Sequence, residues 1–90
     1  MFNAKVDENQ PEIVAGLRSA GFFVALLHRL GEGWPDILVS NKFDMWLMEI
    51  KMPGKKLNKR QEKFHKSWGG KPIYVVHSLE EALAVCYGKL

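Results

Sequence analysis

Two short apolar runs, separated by a four-residue turn sequence, restrict the fold of this chain more than any other feature of its sequence. The runs are 37–40 and 45–51, both rich in β-prone residues, and Asn-Lys-Phe-Asp stands between them. Because asparagine and aspartate favour tight turns, the pattern predicts an antiparallel β-hairpin. A hairpin also dictates which residues face each other across its two strands.

The predicted hairpin brings three charged residues together. With the turn centred between positions 42 and 43, Ser40 pairs with Met45, and the same register places Asp36 opposite Glu49. Side chains alternate along a strand, so Lys51 emerges on the same face as Glu49. Like charges directly opposite each other destabilise a sheet, so the two carboxylates require a shared proton, a basic neighbour or a bound cation.

A bound cation and a structural ion pair are the two interpretations of this cluster. Two carboxylates, a main-chain carbonyl and waters form a ligand set that suits Mg²⁺ or Mn²⁺. A metal held there can activate water and bind a phosphoryl oxygen, and Lys51 can hold the attacking water or stabilise charge on the phosphate. In the alternative interpretation, Lys51 forms an ion pair with Glu49 or Asp36 at a strand end that meets solvent.

The rest of the sequence predicts three helices and two further strands. Around the hairpin, in chain order, they are a helix at 7–20, a strand at 22–27, a helix at 58–68, a strand at 73–76 and a helix at 79–88. Pro11 suits the first turn of the first helix, and Gly21 ends it. Ser78 and Glu81 form a capping-box pattern before the last helix. The predicted order is α-β-β-β-α-β-α.

Two glutamines lie on the apolar faces of predicted helices. The stripe of the first helix is Ile13, Leu17 and Ala20, and that of the second is Leu57, Phe64 and Trp68. Helical spacing puts Gln10 on the first stripe and Gln61 on the second, so both are expected to face inward. Glu12 lies off the first stripe. Gln61 either borders a functional site or bonds the backbone beneath a loop.

The size and composition of the chain limit what else it can contain. Ninety residues with 47% hydrophobic content make one domain, 1–90, with one modest core. The longest apolar run, 21–27, is far shorter than the roughly 20 residues that cross a bilayer, and residues 1–10 lack a signal-peptide pattern. We therefore expect an intracellular, cytoplasmic protein without a membrane partner.

The cysteine and the histidines indicate no disulfide and no zinc site. Cys86 is the only cysteine, so it cannot form an internal disulfide. His28, His65 and His77 are scattered along the chain, without the spacing of zinc ligands. We expect these histidines to be structural or to lie on the surface.

Positive charge is concentrated directly after the hairpin. The net charge is only +3, but segment 51–66 holds seven of the thirteen basic residues and a single acid, Glu62. The seven are Lys51, Lys55, Lys56, Lys59, Arg60, Lys63 and Lys66. Such a local surplus suits a polyanion such as a phosphate backbone. The alternative is a solvated helix face that only promotes solubility.

Taken together, these motifs resemble the signature of the PD-(D/E)XK nucleases. The motifs are Gly-Trp-Pro-Asp at 33–36, Glu-Ile-Lys at 49–51, thirteen positions after the Asp, and Gln61 on the following helix. More narrowly, residues 7–83 resemble a virus-type replication-repair nuclease (VRR-NUC) domain of the small stand-alone phage type. The resemblance implies a restriction-endonuclease-like α/β fold, with an α-β-β-β-α-β-α core and a central mixed sheet flanked by helices.

The resemblance also implies roles for particular residues. Asp36, Glu49 and the main-chain carbonyl of Ile50 bind Mg²⁺ or Mn²⁺, and Lys51 acts on the water or the phosphate. Gln61 is similar to the helix glutamine that flanks the site in these nucleases. The family often has an acidic residue where Gln10 stands. Gln10 can reach a metal through water but brings no charge, and Glu12 replaces it only if the helix register differs.

The resemblance implies that the protein cleaves DNA and selects its substrate by the structure of the DNA rather than by its base sequence. The DNA-binding residues would be Lys55, Lys56, Lys59, Arg60 and Lys63. Small phage proteins of this kind are similar to Holliday junction resolvases, and two symmetric cuts require a homodimer. Trp34, Phe43, Met45, Trp46 and Met48 supply apolar surface for an interface or for the core.

Two alternatives differ from this function. The first is a nucleic-acid-binding module with the same fold and no cleavage, which the uncharged Gln10 favours. The second is a nuclease that acts on flaps, ends or unbranched duplex. In every case the expected partner is a nucleic acid, and no small-molecule cofactor is implied.

Overall fold

A computed structural model describes residues 7–89 of the chain. Within this range the chain forms three α-helices, four β-strands and a short 3₁₀ helix. They are, in chain order, α1 Gln10–Ser19, β1 Phe23–Leu26, the 3₁₀ helix His28–Leu30, β2 Ile37–Ser40, β3 Met45–Ile50, α2 Lys59–Ser67, β4 Tyr74–Val76 and α3 Leu79–Cys86. The predicted α/β class and the order of the elements are confirmed.

The hairpin has the predicted register. β2 and β3 are antiparallel, with Ser40 paired to Met45 at the turn and Ile37 paired to Met48 at the far end. Asn41 stabilises the turn, because its Oδ1 accepts the N–H groups of residues 43 and 44 at 2.8 and 2.9 Å. Its own N–H donates to the Asp44 carbonyl, which closes the turn at 3.0 Å. The local turn chemistry therefore fixes the pairing.

The four strands form one mixed, open sheet with the order β1-β2-β3-β4. β1 and β2 are antiparallel, as are β2 and β3, whereas β4 runs parallel to β3. A parallel neighbour needs a crossover connection, which the segment containing α2 supplies. The end of β3 therefore lies beside the end of β4, with α2 between them in the sequence.

One face of the sheet carries the hydrophobic core. Alternation along β3 directs Trp46, Met48 and Ile50 to this face, where each is at most 8% exposed. α1 and α3 cover it through Ile13, Val14, Leu17, Ala82 and Val85. Of the two uses left open for Trp46 and Met48, interface or core, the structure therefore shows the core.

The apolar stripe of α1 also differs from the prediction. Val14 is buried, whereas Ala20 is exposed because it follows the last helical residue, Ser19. Gly21 then adopts a φ of +98°, a left-handed conformation suited to glycine after a helix. Gln10 is 3% exposed and Glu12 is exposed, so their predicted orientations are confirmed.

The opposite face of the sheet is only partly covered. Asp36, Leu47 and Glu49 lie on this face by alternation and register. The end that holds Glu49 is covered by α2, while the end near the hairpin turn forms an open groove of about 940 Å³. The sides of the groove include Leu30, Leu38, Phe43, Met45, Leu47 and Trp68. Buried charge and exposed apolar surface therefore share one face of the sheet.

The N-terminal capping of the two terminal helices differs from the prediction, although α3 begins at Leu79 as predicted. α1 begins at Gln10, three residues later than predicted, because Asn9 uses its side chain to bind distant carbonyls rather than to cap the helix. Ser78 does cap α3, accepting the Glu81 N–H at 3.1 Å. The Glu81 carboxylate, however, accepts the N–H of His77, one residue before the cap, so the reciprocal capping box is not formed. None of the helices within residues 7–89 is long and apolar enough to cross a membrane.

Gly33 is expected to be required for the contact between α2 and the loop before β2. Its φ is +81°, and a Cβ at this position would lie 2.5 Å from the main-chain oxygen of Arg60. Gly33→Ala should reduce the free energy of unfolding by more than the roughly 1–2 kcal/mol that a left-handed conformation costs alone. Gly54→Ala is the matched control, since its φ is +83° and no other atom lies within 4 Å. Equal decreases in the free energy of unfolding of Gly33→Ala and Gly54→Ala, measured by chemical denaturation, would contradict the importance of this contact.

Candidate metal and catalytic site

Asp36 is fixed against β3 by hydrogen bonds from both its backbone and its side chain. Its N–H donates to the carbonyl of Met48 at 3.1 Å, the residue that is also paired with Ile37 at the end of the hairpin. Its Oδ2 accepts the N–H of Ile50 at 2.7 Å. The side chain of Ile50 is in the core, so only its backbone meets the Asp36 carboxylate. The predicted neighbourhood of Asp36, Glu49 and the Ile50 main chain is thus formed.

Glu49 is a fully buried carboxylate, with 0% of the residue exposed. Burial raises its pKa, and the adjacent carboxylate of Asp36 raises it further, to about 9. The positive charge of Lys51 lowers this pKa, while the negative charge of Asp7 raises it by a smaller amount. Without a compensating cation, Glu49 therefore holds a proton at neutral pH.

Lys51 lies at the same end of β3, but it forms no ion pair with the two carboxylates. It is half-buried and close enough to lower the pKa of Glu49. Among residues 7–89, however, the contacts between oppositely charged groups within 4 Å do not include Lys51. The alternative interpretation of the sequence, a structural ion pair of Lys51 with Glu49 or Asp36, is therefore wrong.

Gln61 faces Glu49 from α2. Its Nε2 donates to Glu49 Oε2 at 3.0 Å, while its Oε1 accepts the main-chain N–H of Asn58 at 2.9 Å. Asn58 in turn accepts the Gln61 N–H at 2.9 Å, which completes a capping box at the start of α2. The bond from Gln61 to the backbone is confirmed, and the other end of its amide bonds Glu49, while a role beside a functional site remains a prediction.

His65 is at the site although its sequence position suggested no such role. Its Nε2 lies 3.6 Å from Glu49 Oε1, and its side chain is only 15% exposed. Burial lowers the pKa of His65, so the neutral imidazole dominates at neutral pH. The sequence held one usable signal: His65 follows Gln61 by four residues, which places both on one face of a helix.

The N-terminal end of α1 reaches the same end of the sheet. Asn9 Nδ2 donates to the carbonyl of Lys51 at 3.1 Å and to that of His77 at 3.0 Å. Gln10 follows directly, and its buried Oε1 has no hydrogen-bond partner among residues 7–89. None of the hydrogen bonds in this range joins Gln10 to Asp36 or Glu49. A contact through water, as predicted for Gln10, remains a prediction.

The donor atoms at this end of β3 fit a hard divalent cation. The residues supply two carboxylates, and Glu49 Oε1 and Gln10 Oε1 are buried oxygens without a hydrogen-bond partner in the described part of the chain. Oxygen ligands of this kind suit Mg²⁺ or Mn²⁺. No group of three or more His, Cys, Asp or Glu between residues 7 and 89 is arranged to hold a metal. The candidate ligands are therefore two carboxylates together with carbonyl and amide oxygens.

The basic residues lie on the outer surface beside the site. Lys55 and Lys56 are in the loop before α2, and all five predicted DNA-binding residues are exposed. The other three are Lys59, Arg60 and Lys63, in the first half of α2. The helix that directs Gln61 toward Glu49 thus presents positive charge to solvent.

Comparison with known proteins assigns no relative: no family model, curated protein or solved structure matches the chain. The function of the chain is therefore inferred from the residues at the end of β3 and from the charge beside them.

Proposed function

We propose that this chain is a Mg²⁺- or Mn²⁺-dependent endodeoxyribonuclease with a restriction-endonuclease-like fold of the VRR-NUC type. One observation carries the proposal: the carboxylates of Asp36 and Glu49 lie together at adjacent strand ends, with Lys51 nearby and not engaged in an ion pair. Two neighbouring carboxylates, one of them fully buried, are costly unless a cation or a proton offsets their repulsion. Metal-dependent hydrolysis of phosphodiesters uses such a cation.

Each residue of the cluster has a role in the proposed hydrolysis. Asp36, Glu49 and the carbonyl of Ile50 would hold the cation, and Gln61 orients the Glu49 carboxylate. A bound divalent cation would supply Lewis-acid stabilisation of the phosphate and lower the pKa of a water. The ammonium of Lys51 holds the attacking water or stabilises the negative charge that develops on the phosphate oxygens.

The basic residues of α2 support a DNA substrate, and their contribution can be measured. Neutralising Lys59, Arg60 and Lys63 together, each to Gln, should weaken binding to every DNA sequence. Each lost phosphate contact lowers the slope of log affinity against log salt by about one, so a reduction of roughly 2–3 is expected. Fluorescence anisotropy over a salt series measures the slope. A Lys42→Gln, Lys89→Gln variant is the control, and an unchanged slope in the triple variant would place the DNA elsewhere.

Branched DNA, such as a Holliday junction, is the substrate class that we propose. The basic residues contact phosphates, which position a duplex without identifying its sequence. Little surface remains in a chain of 90 residues for contacts to bases. Cleavage selected by the shape of the DNA therefore fits this chain better than cleavage at a defined sequence.

A homodimer would provide the two sites that symmetric cutting requires, and we propose the open groove as its interface. Phe43 is 92% exposed and Met45 is 53% exposed on the rim of this groove. An exposed apolar surface of this kind is typical of an interaction site. Sedimentation equilibrium should show a dimer that the Phe43→Glu variant weakens. A wild-type protein that stays monomeric at all concentrations would contradict this interface.

Cleavage of labelled DNA tests the proposed activity. Four-way junction, flap, single-strand and plain duplex substrates are compared in Mg²⁺, Mn²⁺ and EDTA, with Lys51→Ala in parallel. Paired symmetric nicks in the junction that need both the metal and Lys51 are the expected result. Preferential cutting of flaps, ends or plain duplex would support the proposed nuclease activity but contradict branched DNA as its substrate.

A non-catalytic DNA-binding module is the second candidate, and the uncharged Gln10 is the observation that favours it. Its amide adds no negative charge to the end of the sheet, where two carboxylates and Asp7 already lie. Binding of DNA without metal-dependent cutting in the same experiment would support this module and reject the nuclease.

A further inference from the structure

Both oxygens of the Glu49 carboxylate face donors from one helix. Gln61 Nε2 donates to Oε2 at 3.0 Å, and His65 Nε2 lies 3.6 Å from Oε1. Gln61 and His65 are one helical turn apart on α2, which the Asn58 capping box starts at a defined residue. The capping box that fixes the first residue of α2 therefore also fixes where the side chains of Gln61 and His65 stand relative to Glu49.

The second of these contacts joins two polar atoms that have no other partner. Glu49 Oε1 and His65 Nε2 are both buried, and neither has a hydrogen bond within residues 7–89. Their separation is about half an ångström longer than an N–H···O hydrogen bond. A small rotation about the side-chain bonds of His65 would bring Nε2 within hydrogen-bond distance of Oε1. With a cation bound, Glu49 would be ionised and could only accept, so the His65 tautomer that carries its proton on Nε2 fits this contact in the cation-bound protein.

We propose that His65 is a positioning residue, which donates from Nε2 to Glu49 Oε1 so that α2 holds both carboxylate oxygens. The inference rests on the proposed function, because it assigns His65 a purpose in cation binding. A carboxylate held at one oxygen can still turn about its last side-chain bond. Held at both, it presents a single orientation to the cation. Gln61 alone leaves that rotation free.

The expected consequence is a change in cation affinity. Loss of a residue that orients a metal ligand typically reduces metal affinity or activity by about 10–100-fold. His65→Leu removes the donor and keeps an apolar side chain of similar reach, so it should weaken Mn²⁺ binding by about this factor. His65→Gln places an amide N–H near the position of Nε2 and should restore most of the affinity.

The experiment measures Mn²⁺ binding by electron paramagnetic resonance, with the whole chain and without DNA. Wild type, His65→Leu and His65→Gln are titrated after thermal unfolding has shown that each is folded. His77→Gln is the matched control, because the His77 side chain also faces a carboxylate, with its Nδ1 3.0 Å from Glu81 Oε1, and within residues 7–89 none of its hydrogen bonds or ion pairs involves Glu49. We expect weaker binding only in His65→Leu.

Cleavage rates add a second readout. If His65 only positions Glu49, the cleavage rate of His65→Leu should recover as the Mn²⁺ concentration is raised to saturation. A rate that stays low at saturating Mn²⁺, in a folded protein, would overturn the positioning role.

The binding data also separate the inference from the proposed function. Equal Mn²⁺ affinity in wild type and His65→Leu would overturn the role of His65 and leave the nuclease intact. A wild type that binds no Mn²⁺ and cuts no DNA would overturn both. Loss of affinity in His65→Gln as well as in His65→Leu would contradict a role that depends on the N–H donor.

Discussion

The Asp36→Asn variant is expected to lose metal-dependent DNA cleavage while it keeps its fold and its affinity for DNA. The substitution removes a negative ligand, so the rate should fall on the order of 10²–10³-fold or more. The amide oxygen can still accept the N–H of Ile50, the bond that holds Asp36 at 2.7 Å from β3, so the hairpin end should keep its structure. DNA should bind equally well or more tightly, because repulsion between the carboxylate and the phosphates falls.

Single-turnover cleavage in Mg²⁺ and Mn²⁺, together with anisotropy in EDTA, measures both parts of this prediction. Asp44→Asn is the control, because Asp44 lies at the other end of the hairpin, in an exposed ion pair with Lys71. Retained cleavage in Asp36→Asn would show that this carboxylate is not a required ligand. Loss of DNA binding together with cleavage would show instead that the variant disturbs the surface that contacts DNA.

The second large effect concerns stability. Glu49→Gln should stabilise the metal-free protein at neutral and alkaline pH. The pKa of Glu49 is raised to about 9, mainly by burial and next by Asp36. Between the pKa of an exposed glutamate and this value, the unfolded chain releases a proton that the folded chain retains. Wild-type stability should therefore fall as the pH rises through this window, by up to about 1.4 kcal/mol per pH unit from this group.

Urea denaturation in EDTA between pH 7 and pH 9 checks this expectation. Over most of this range His65, whose pKa is lowered by burial, is largely neutral in both the folded and the unfolded chain. Glu49→Gln should remove part of the pH dependence and remain the more stable protein. Glu62→Gln, a substitution at an exposed position on α2, is the control, and its stability should depend on pH in the same way as that of the wild type. Identical pH profiles for wild type and Glu49→Gln would mean that Glu49 is already ionised in the metal-free fold.

The proximity of Asp36 and Glu49 could be predicted because it depends on local chemistry. Asn41 closes a four-residue turn, and the turn sets the register for the whole hairpin. Alternation then places Glu49 on the same face as Asp36 without any knowledge of the tertiary structure. The sequence does not reveal how deeply Glu49 is buried, because its cover comes from a helix that follows in the chain.

Asn9 and His65 could not be assigned for the same reason. The predicted first helix, 7–20, includes Asn9, but its amide instead bonds the carbonyls of Lys51 and His77. His65 is predicted only to be structural or to lie on the surface, and its contact with Glu49 is not predicted because it depends on how α2 lies across β3. For Ala20 the error was smaller: the helix ended one residue earlier than the apolar stripe suggested. Local patterns define elements well, whereas contacts between elements depend on the packing of the complete chain.

The bonds of Asn9 also determine when the site can form during synthesis of the protein. This single amide joins carbonyls that lie 42 and 68 residues further along the chain. Contacts between such distant residues form late, because the chain between them must first be ordered. On the ribosome, residue 9 emerges long before residue 77. A nascent chain that has not yet released His77 cannot close this end of the sheet, so the activity we propose would begin only after that segment has emerged and folded.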